Sequence, residues 1–93
     1  MPSMLKSFKF STPKTVPSGH SIQLSISVDV TKPPKELLLI AEPGYQCDPP
    51  SKTYATEGHH EELIWVIITG NQGQCVIKGK LGASELEDLV EVT

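Results

Sequence analysis

The chain has 93 residues and a mass of 10.1 kDa, the size of one small domain, so we predict a single domain over residues 1–93. All of its basic residues are lysine and its formal net charge is −3. We therefore predict no nucleic-acid partner, because arginine supplies most bidentate contacts to phosphate and guanine. No apolar run approaches the roughly 20 residues of a membrane span, so we also predict no membrane insertion.

The first six residues lack the apolar core of a secretory signal peptide, and the chain has no apolar transmembrane segment. This pattern fits either an intracellular protein or a domain cut from a longer chain. The sequence leaves the localisation open between these two.

The first half of the chain is divided by eight prolines, which lack an amide donor and therefore separate strands. Residues 5–11 alternate, with Phe8 and Phe10 on one face. Residues 21–30 alternate strictly between aliphatic and polar side chains, which predicts a half-buried strand. Residues 36–42 form a compact apolar run that we interpret as a strand covered on both faces.

The second half begins with residues 44–60, the longest irregular stretch, in which residues 51–56 fit a short edge strand. Residues 61–69 are the most hydrophobic segment, and we place this strand centrally because it would promote aggregation at a sheet edge. A hairpin turn at residues 70–73 is predicted to return the chain into a partner strand at 74–81. Near the C-terminus we predict one helical turn at 84–87, from a capping-box pattern, and a last strand at 88–93.

Six to seven short strands with almost no helix predict an all-β fold, and we favour an antiparallel β-sandwich over a small barrel. In outline the layout resembles immunoglobulin and fibronectin type III domains. The resemblance is limited to the fold, because the cysteine pair that bridges two strands of immunoglobulin domains has no counterpart in residues 21–30.

Two cysteines, Cys47 and Cys75, fit neither a zinc motif nor a thioredoxin motif, since both motifs need closely spaced cysteines. In an oxidising compartment the two would form a disulfide. In a reducing compartment they would be free thiols, with Cys75 packed as a small core residue. Both alternatives stay open at the level of sequence.

Adjacent histidines, His59 and His60, lie beside three glutamates and have the ligand chemistry that zinc and copper accept. Neighbouring residues of a strand point to opposite faces, however, so a metal site would need Cys47 or His20 to approach. We predict no resident metal or cofactor and keep His59, His60 and Cys47 as the ligands of a metal-handling alternative.

The aromatic residues divide into two groups by context. Trp65 lies inside the most hydrophobic segment, and we predict that it packs in the core. Tyr45 and Tyr54 flank the irregular stretch, and we predict that both are exposed. Exposed tyrosines beside a loop are typical contact residues, because loops on a rigid scaffold often carry recognition.

No nucleophile-elbow, zinc-protease or phosphate-loop motif occurs in the sequence, so we predict that the protein is not an enzyme. Our leading hypothesis is a protein-interaction or spacer module that presents loops or an edge strand to a protein partner. Its predicted contact residues are Tyr45, Tyr54, His59 and His60. The alternatives are the metal-handling protein and an accessory domain of a larger enzyme or surface protein.

Overall fold

The computed structural model describes residues 2–93, and Met1, which the predicted domain includes, lies outside the described residues. Residues 2–93 form nine β-strands, which confirms the all-β class. They include no helix of the length and apolarity needed to cross a membrane. The strands are β1 (Met4–Phe10), β2 (Thr15–Val16), β3 (Ser21–Val30), β4 (Lys35–Leu39), β5 (Tyr45–Asp48), β6 (Ser51–Tyr54), β7 (Gly58–Ile68), β8 (Gly73–Leu81) and β9 (Ser84–Val92).

The strands belong to two sheets. Sheet A has four antiparallel strands in the order β1-β3-β7-β5, and sheet B has five strands in the order β2-β9-β8-β4-β6. In sheet B the short strand β2 joins β9 in parallel, and the other pairs are antiparallel. The most hydrophobic strand, β7, lies between β3 and β5, which confirms its predicted central position.

The core forms where the inward faces of the two sheets meet. Strand β3 has the predicted bounds, and all five of its aliphatic residues are buried while the intervening residues are not. The inward residues of both sheets make one hydrophobic cluster, which includes Phe8 and Phe10 of β1 as predicted. Strand β4 differs from the prediction, because Leu37 and Leu39 are buried but Leu38 faces outward and is exposed.

Strand β1 is the edge of sheet A, so its amides on the side away from β3 have no strand partner. Side chains of β9 accept hydrogen bonds from two of them. The Leu5 amide donates to Ser84 Oγ at 3.0 Å, and the Phe10 amide donates to Asp88 Oδ2 at 3.0 Å. These side chains therefore join sheet B to the edge of sheet A and cover an edge that would otherwise be open to pairing.

The structure corrects the predicted strand count, which was six to seven. The stretch predicted to be irregular, residues 44–60, contains β5 and β6 and the start of β7. The predicted helical turn at 84–87 is also wrong. Ser84 pairs with Leu81 across a two-residue turn at Gly82 and Ala83, and Gly82 has the positive φ of 59° that this tight turn requires. Strand β9 therefore begins at once, and no residues remain for a helix.

The predicted hairpin at residues 70–73 is wrong as well. Strand β7 belongs to sheet A and β8 belongs to sheet B, where it pairs with β4 and β9. Strand β7 already has β3 on one side and β5 on the other, so no edge is free for β8. The Gly44 carbonyl accepts hydrogen bonds from the Thr69 and Gly70 amides, at 2.9 and 3.0 Å, where the chain leaves sheet A.

Candidate functional site

The outward side of β7 carries two exposed apolar side chains. Ile64, Val66 and Ile68 point into the core, and the alternate positions point outward. Leu63 is 57% exposed and Trp65 is 48% exposed, the highest values among the large apolar side chains of residues 2–93. The prediction that Trp65 packs in the core is therefore wrong, because residue 65 shares its side of the strand with Leu63.

The neighbouring strand β3 presents short polar side chains to the same side. Gln23 pairs with Trp65 and Ser25 pairs with Leu63 in the antiparallel register. The larger side chains of β7 therefore rise above those of β3. A cleft of about 350 Å³ lies between Trp65 and the segment at residues 11–21, and one of about 240 Å³ lies between Leu63 and the serines of β1 and β3.

Opposite charges flank this apolar pair. Lys9 of β1 pairs with Ser25 on one side, and Asp48 of β5 pairs with Trp65 on the other. Both charged residues are exposed. We call this surface the Trp65 face, defined by six outward residues: Lys9, Gln23, Ser25, Asp48, Leu63 and Trp65.

Beyond the Trp65 face, the outer surface of sheet A ends in a charged cluster. His59 Nδ1 lies 2.9 Å from Asp29 Oδ1, and Lys6 Nζ lies 3.6 Å from Asp29 Oδ2. The hydrogen bond from His59, with Lys6 as a weaker cause, lowers the pKa of Asp29. These charges are neutralised within the chain, whereas no ion pair joins Lys9 or Asp48 to another of residues 2–93.

Both tyrosines predicted to be exposed contact residues are buried. Tyr45 points inward from β5, and its hydroxyl donates a hydrogen bond to the Ile40 carbonyl. Tyr54 ends β6 and packs against His60, with 4.7 Å between the ring centroids. Burial, with the nearby Glu62 carboxylate as a second cause, raises the pKa of Tyr54. The predicted exposure is wrong because these residues lie on inward positions of short strands instead of in a loop.

The two histidines point to opposite sides of β7, as strand alternation predicts. His59 contacts Asp29 on the outside, while His60 stacks on Tyr54 and donates from Nε2 to the Thr56 carbonyl at 3.0 Å. No group of three or more His, Cys, Asp or Glu side chains comes together in residues 2–93 in a way that could hold a metal ion. Cys47 lies on β5, apart from both histidines in the strand pairing.

Cys47 and Cys75 are free thiols, and both are half-buried. Of the two alternatives that the sequence left open, the structure therefore contains the free thiols. Burial raises the pKa of Cys75. Burial, with Cys75 nearby as a smaller cause, raises the pKa of Cys47 to about 11.

We predict slow alkylation of Cys47 in the folded protein. The thiolate is the reacting species, and a pKa near 11 in place of 9.0 reduces its population about 100-fold at pH 8. Iodoacetamide labelling at pH 8, followed by peptide mass spectrometry, should show Cys47 modified far more slowly in buffer than in concentrated guanidinium. Equal labelling rates in the two solutions would contradict this placement of Cys47.

Comparisons with protein-family models and with curated proteins find no match for this chain. They assign no family. The Trp65 face is the surface whose chemistry most clearly differs from that of an ordinary strand exterior, because it combines a large exposed aromatic ring, a polar depression and unpaired flanking charges.

Proposed function

We propose that the protein is a non-enzymatic protein-interaction module with an immunoglobulin-like β-sandwich fold, and that it binds a protein partner through the Trp65 face. The half-exposed Trp65 beside Leu63 is the observation that carries this proposal. Tryptophan is strongly enriched among residues that dominate binding energy, and its exposure in an isolated chain leaves apolar area in water. A partner that covers Trp65 and Leu63 recovers that energy.

The strand order supports the immunoglobulin-like description. In that fold the strands A, B, E and D form one sheet, and G, F and C form the other, with an added C′ strand in some domains. Sheet A matches the first set as β1, β3, β7 and β5, and sheet B matches the second as β9, β8, β4 and β6. One departure is that β5 precedes β6 in the chain, whereas C′ precedes D in the immunoglobulin order.

The anatomy of the Trp65 face fits a protein partner. Protein interfaces combine an aromatic or aliphatic centre with a polar and charged rim. Trp65 and Leu63 form such a centre, and Lys9 and Asp48 form part of such a rim. The face is also a better candidate than an edge strand, because β5 and β6 have only four residues each and offer few backbone hydrogen bonds.

The alternatives have less support. A metal-handling role would need His59, His60 and Cys47 to converge, and the two histidines point to opposite sides of β7. An accessory domain of a larger protein is compatible with the proposal, since the same face would then bind a neighbouring domain or its ligand. That case differs in the identity of the partner and not in the surface used.

Photo-crosslinking tests the proposal. A benzoylphenylalanine placed at residue 65 should form a discrete adduct in cells that express the protein. The same group at Leu89, which is 42% exposed on the outer side of sheet B, is the matched control and should give none. We expect Trp65→Ala to weaken binding of the captured protein about 30-fold, as for a hot spot of ~2 kcal/mol. Equal adducts from both positions, or none from residue 65, would refute the proposal.

A further inference from the structure

We infer that the partner of the Trp65 face is a second copy of this chain, so that two copies pack face to face about a two-fold axis. The inference rests on the proposed function and adds the identity of the partner. A two-fold interface requires a surface that is complementary to itself. Two features of the Trp65 face have this property: the positions of Lys9 and Asp48, and the placing of large side chains on β7 beside small ones on β3.

The charges match under a two-fold rotation. Lys9 and Asp48 lie on the outer strands of the four-stranded sheet, one row of residues apart in the register. With strands about 4.8 Å apart and alternate residues about 6.8 Å apart, the midpoint between them falls among Gln23, Ser25, Leu63 and Trp65. We place a two-fold axis in the interface plane, through this midpoint and perpendicular to the line from Lys9 to Asp48. The rotation about this axis exchanges the positions of the two residues. Each Lys9 then faces the Asp48 of the second copy.

The shapes match under the same rotation. Leu63 lies close to the axis and is therefore opposite the Leu63 of the second copy. The rotation places Trp65 of the second copy over β3 of the first copy, between Gln23 and Ser25. Gln23 and Ser25 pair with Trp65 and Leu63 and are smaller than the apolar side chains of β7. Each indole ring of the dimer therefore packs over short polar side chains of the other copy and does not meet a second ring.

The size of the face indicates a weak dimer. Four strands by about four rows of outward residues span roughly 14 by 20 Å in projection. This is smaller than the ~800 Å² that each partner buries in a standard interface. We therefore expect a dissociation constant on the order of 10 μM to 1 mM. The ion pairs at the rim would mainly fix the orientation, and the apolar centre would supply the affinity.

Sedimentation equilibrium of the full chain tests this arrangement. The wild-type protein should dimerise reversibly as its concentration rises through this range. Lys9→Glu and Asp48→Lys should each weaken dimerisation about tenfold, because each places like charges opposite one another twice. The double variant K9E/D48K should restore it, since the charges are then exchanged. Lys80→Glu, at an exposed lysine on sheet B, is the matched control and should have no effect.

Tryptophan fluorescence gives a second measurement, because Trp65 is the single tryptophan of the chain. Its emission should shift to shorter wavelength over the same concentration range as dimerisation. A dimer that is insensitive to both charge reversals would overturn the proposed arrangement. A fluorescence change produced by a soluble oligosaccharide, with no dimer, would overturn the choice of a second copy.

Crosslinking separates the failure of this inference from the failure of the proposed function. A wild-type monomer whose residue 65 crosslinks to a different protein would overturn the inference and leave the proposed function standing. A monomer with no adduct from residue 65 would overturn both. An adduct with twice the mass of the chain, together with rescue by the double charge reversal, would support both.

Discussion

Replacing Gly79 by alanine is expected to lower the free energy of unfolding by about 1–3 kcal/mol, the usual effect of overpacking a core. Gly79 lies on β8 at a buried, inward position. A Cβ atom there would lie 2.5 Å from Cε2 and 3.1 Å from Cζ of Phe8. Phe8 is itself only 4% exposed, so a shift of its ring would displace neighbouring core side chains. Urea denaturation followed by circular dichroism measures the loss.

A double-mutant cycle tests whether Phe8 is the cause. Phe8→Leu alone should destabilise the protein because it removes buried ring atoms and leaves a cavity. Combined with Gly79→Ala, it should cost less than the sum of the two single changes, because the smaller side chain makes room for the new methyl group. Strict additivity would show that the cost of Gly79→Ala has an origin other than the Phe8 ring. An unchanged free energy of unfolding for Gly79→Ala alone would contradict the close packing of Gly79 against Phe8.

The parts of the fold that local patterns decide were predicted correctly. In β3 the aliphatic side chains occupy every second position and the intervening residues are polar, so one sequence pattern fixes both the strand and its buried side. Phe8 and Phe10 are separated by a lysine, and both are buried. The predicted central position of β7 is also correct, because a long apolar strand has few other stable positions.

The features that depend on pairing between distant strands were missed. In residues 63–68 every side chain is apolar, so the sequence does not indicate which alternate set faces the core. The pairing with β3 decides this, because it places Trp65 and Leu63 beside the polar side of that strand. The connection from β7 to β8 was predicted to be a hairpin for the same reason, since a turn signal does not specify the sheet to which the next strand belongs.

The candidate site was likewise hidden from sequence reasoning. The irregular stretch at residues 44–60 predicts that Tyr45 and Tyr54 are exposed, but the short strands β5 and β6 place both rings inside. Lys9, Ser25 and Asp48 carry no motif, and they become neighbours of the apolar pair only through three separate strand pairings. The sequence contains one signal for this surface, because the outward residues of β3 are polar. The outward residues of any strand that pairs with β3 must lie on the same side of the sheet.

Asp88→Ala is expected to destabilise the protein by roughly 1–3 kcal/mol at neutral pH, as for the loss of a charged acceptor from half-buried donors. The Asp88 carboxylate accepts hydrogen bonds from the Phe10 amide, the Lys14 ammonium and the Leu89 amide. The first two donors belong to the β1 edge and to the segment that follows it, so Asp88 joins the two sheets. Without the carboxylate, the Phe10 amide on the edge of sheet A has no partner.

The contribution of Asp88 should also depend on pH. Burial opposes ionisation, but the hydrogen bonds from Lys14, Phe10 and Leu89 outweigh it and hold the pKa of Asp88 below its ordinary value of 3.8. A carboxyl group with a lowered pKa in the folded state stabilises that state fully above the unfolded-state pKa. This contribution falls as the pH decreases through the folded-state pKa. The stability difference between wild type and Asp88→Ala should therefore be constant from pH 7 to about pH 5 and then shrink in stronger acid.

Asp29→Ala provides the matched control, because it removes the same kind of side chain from an exposed ion pair. The pKa of Asp29, like that of Asp88, is lowered. Asp29 and His59 are both well exposed, so solvent screens their interaction, and exposed pairs contribute little to stability. Guanidinium denaturation of the three proteins between pH 2 and pH 7 should give a large, acid-sensitive difference for Asp88→Ala and a small one for Asp29→Ala. Equal losses for the two variants would mean that Asp88 acts as an ordinary surface charge and that its hydrogen bonds contribute little to joining β1 and β9.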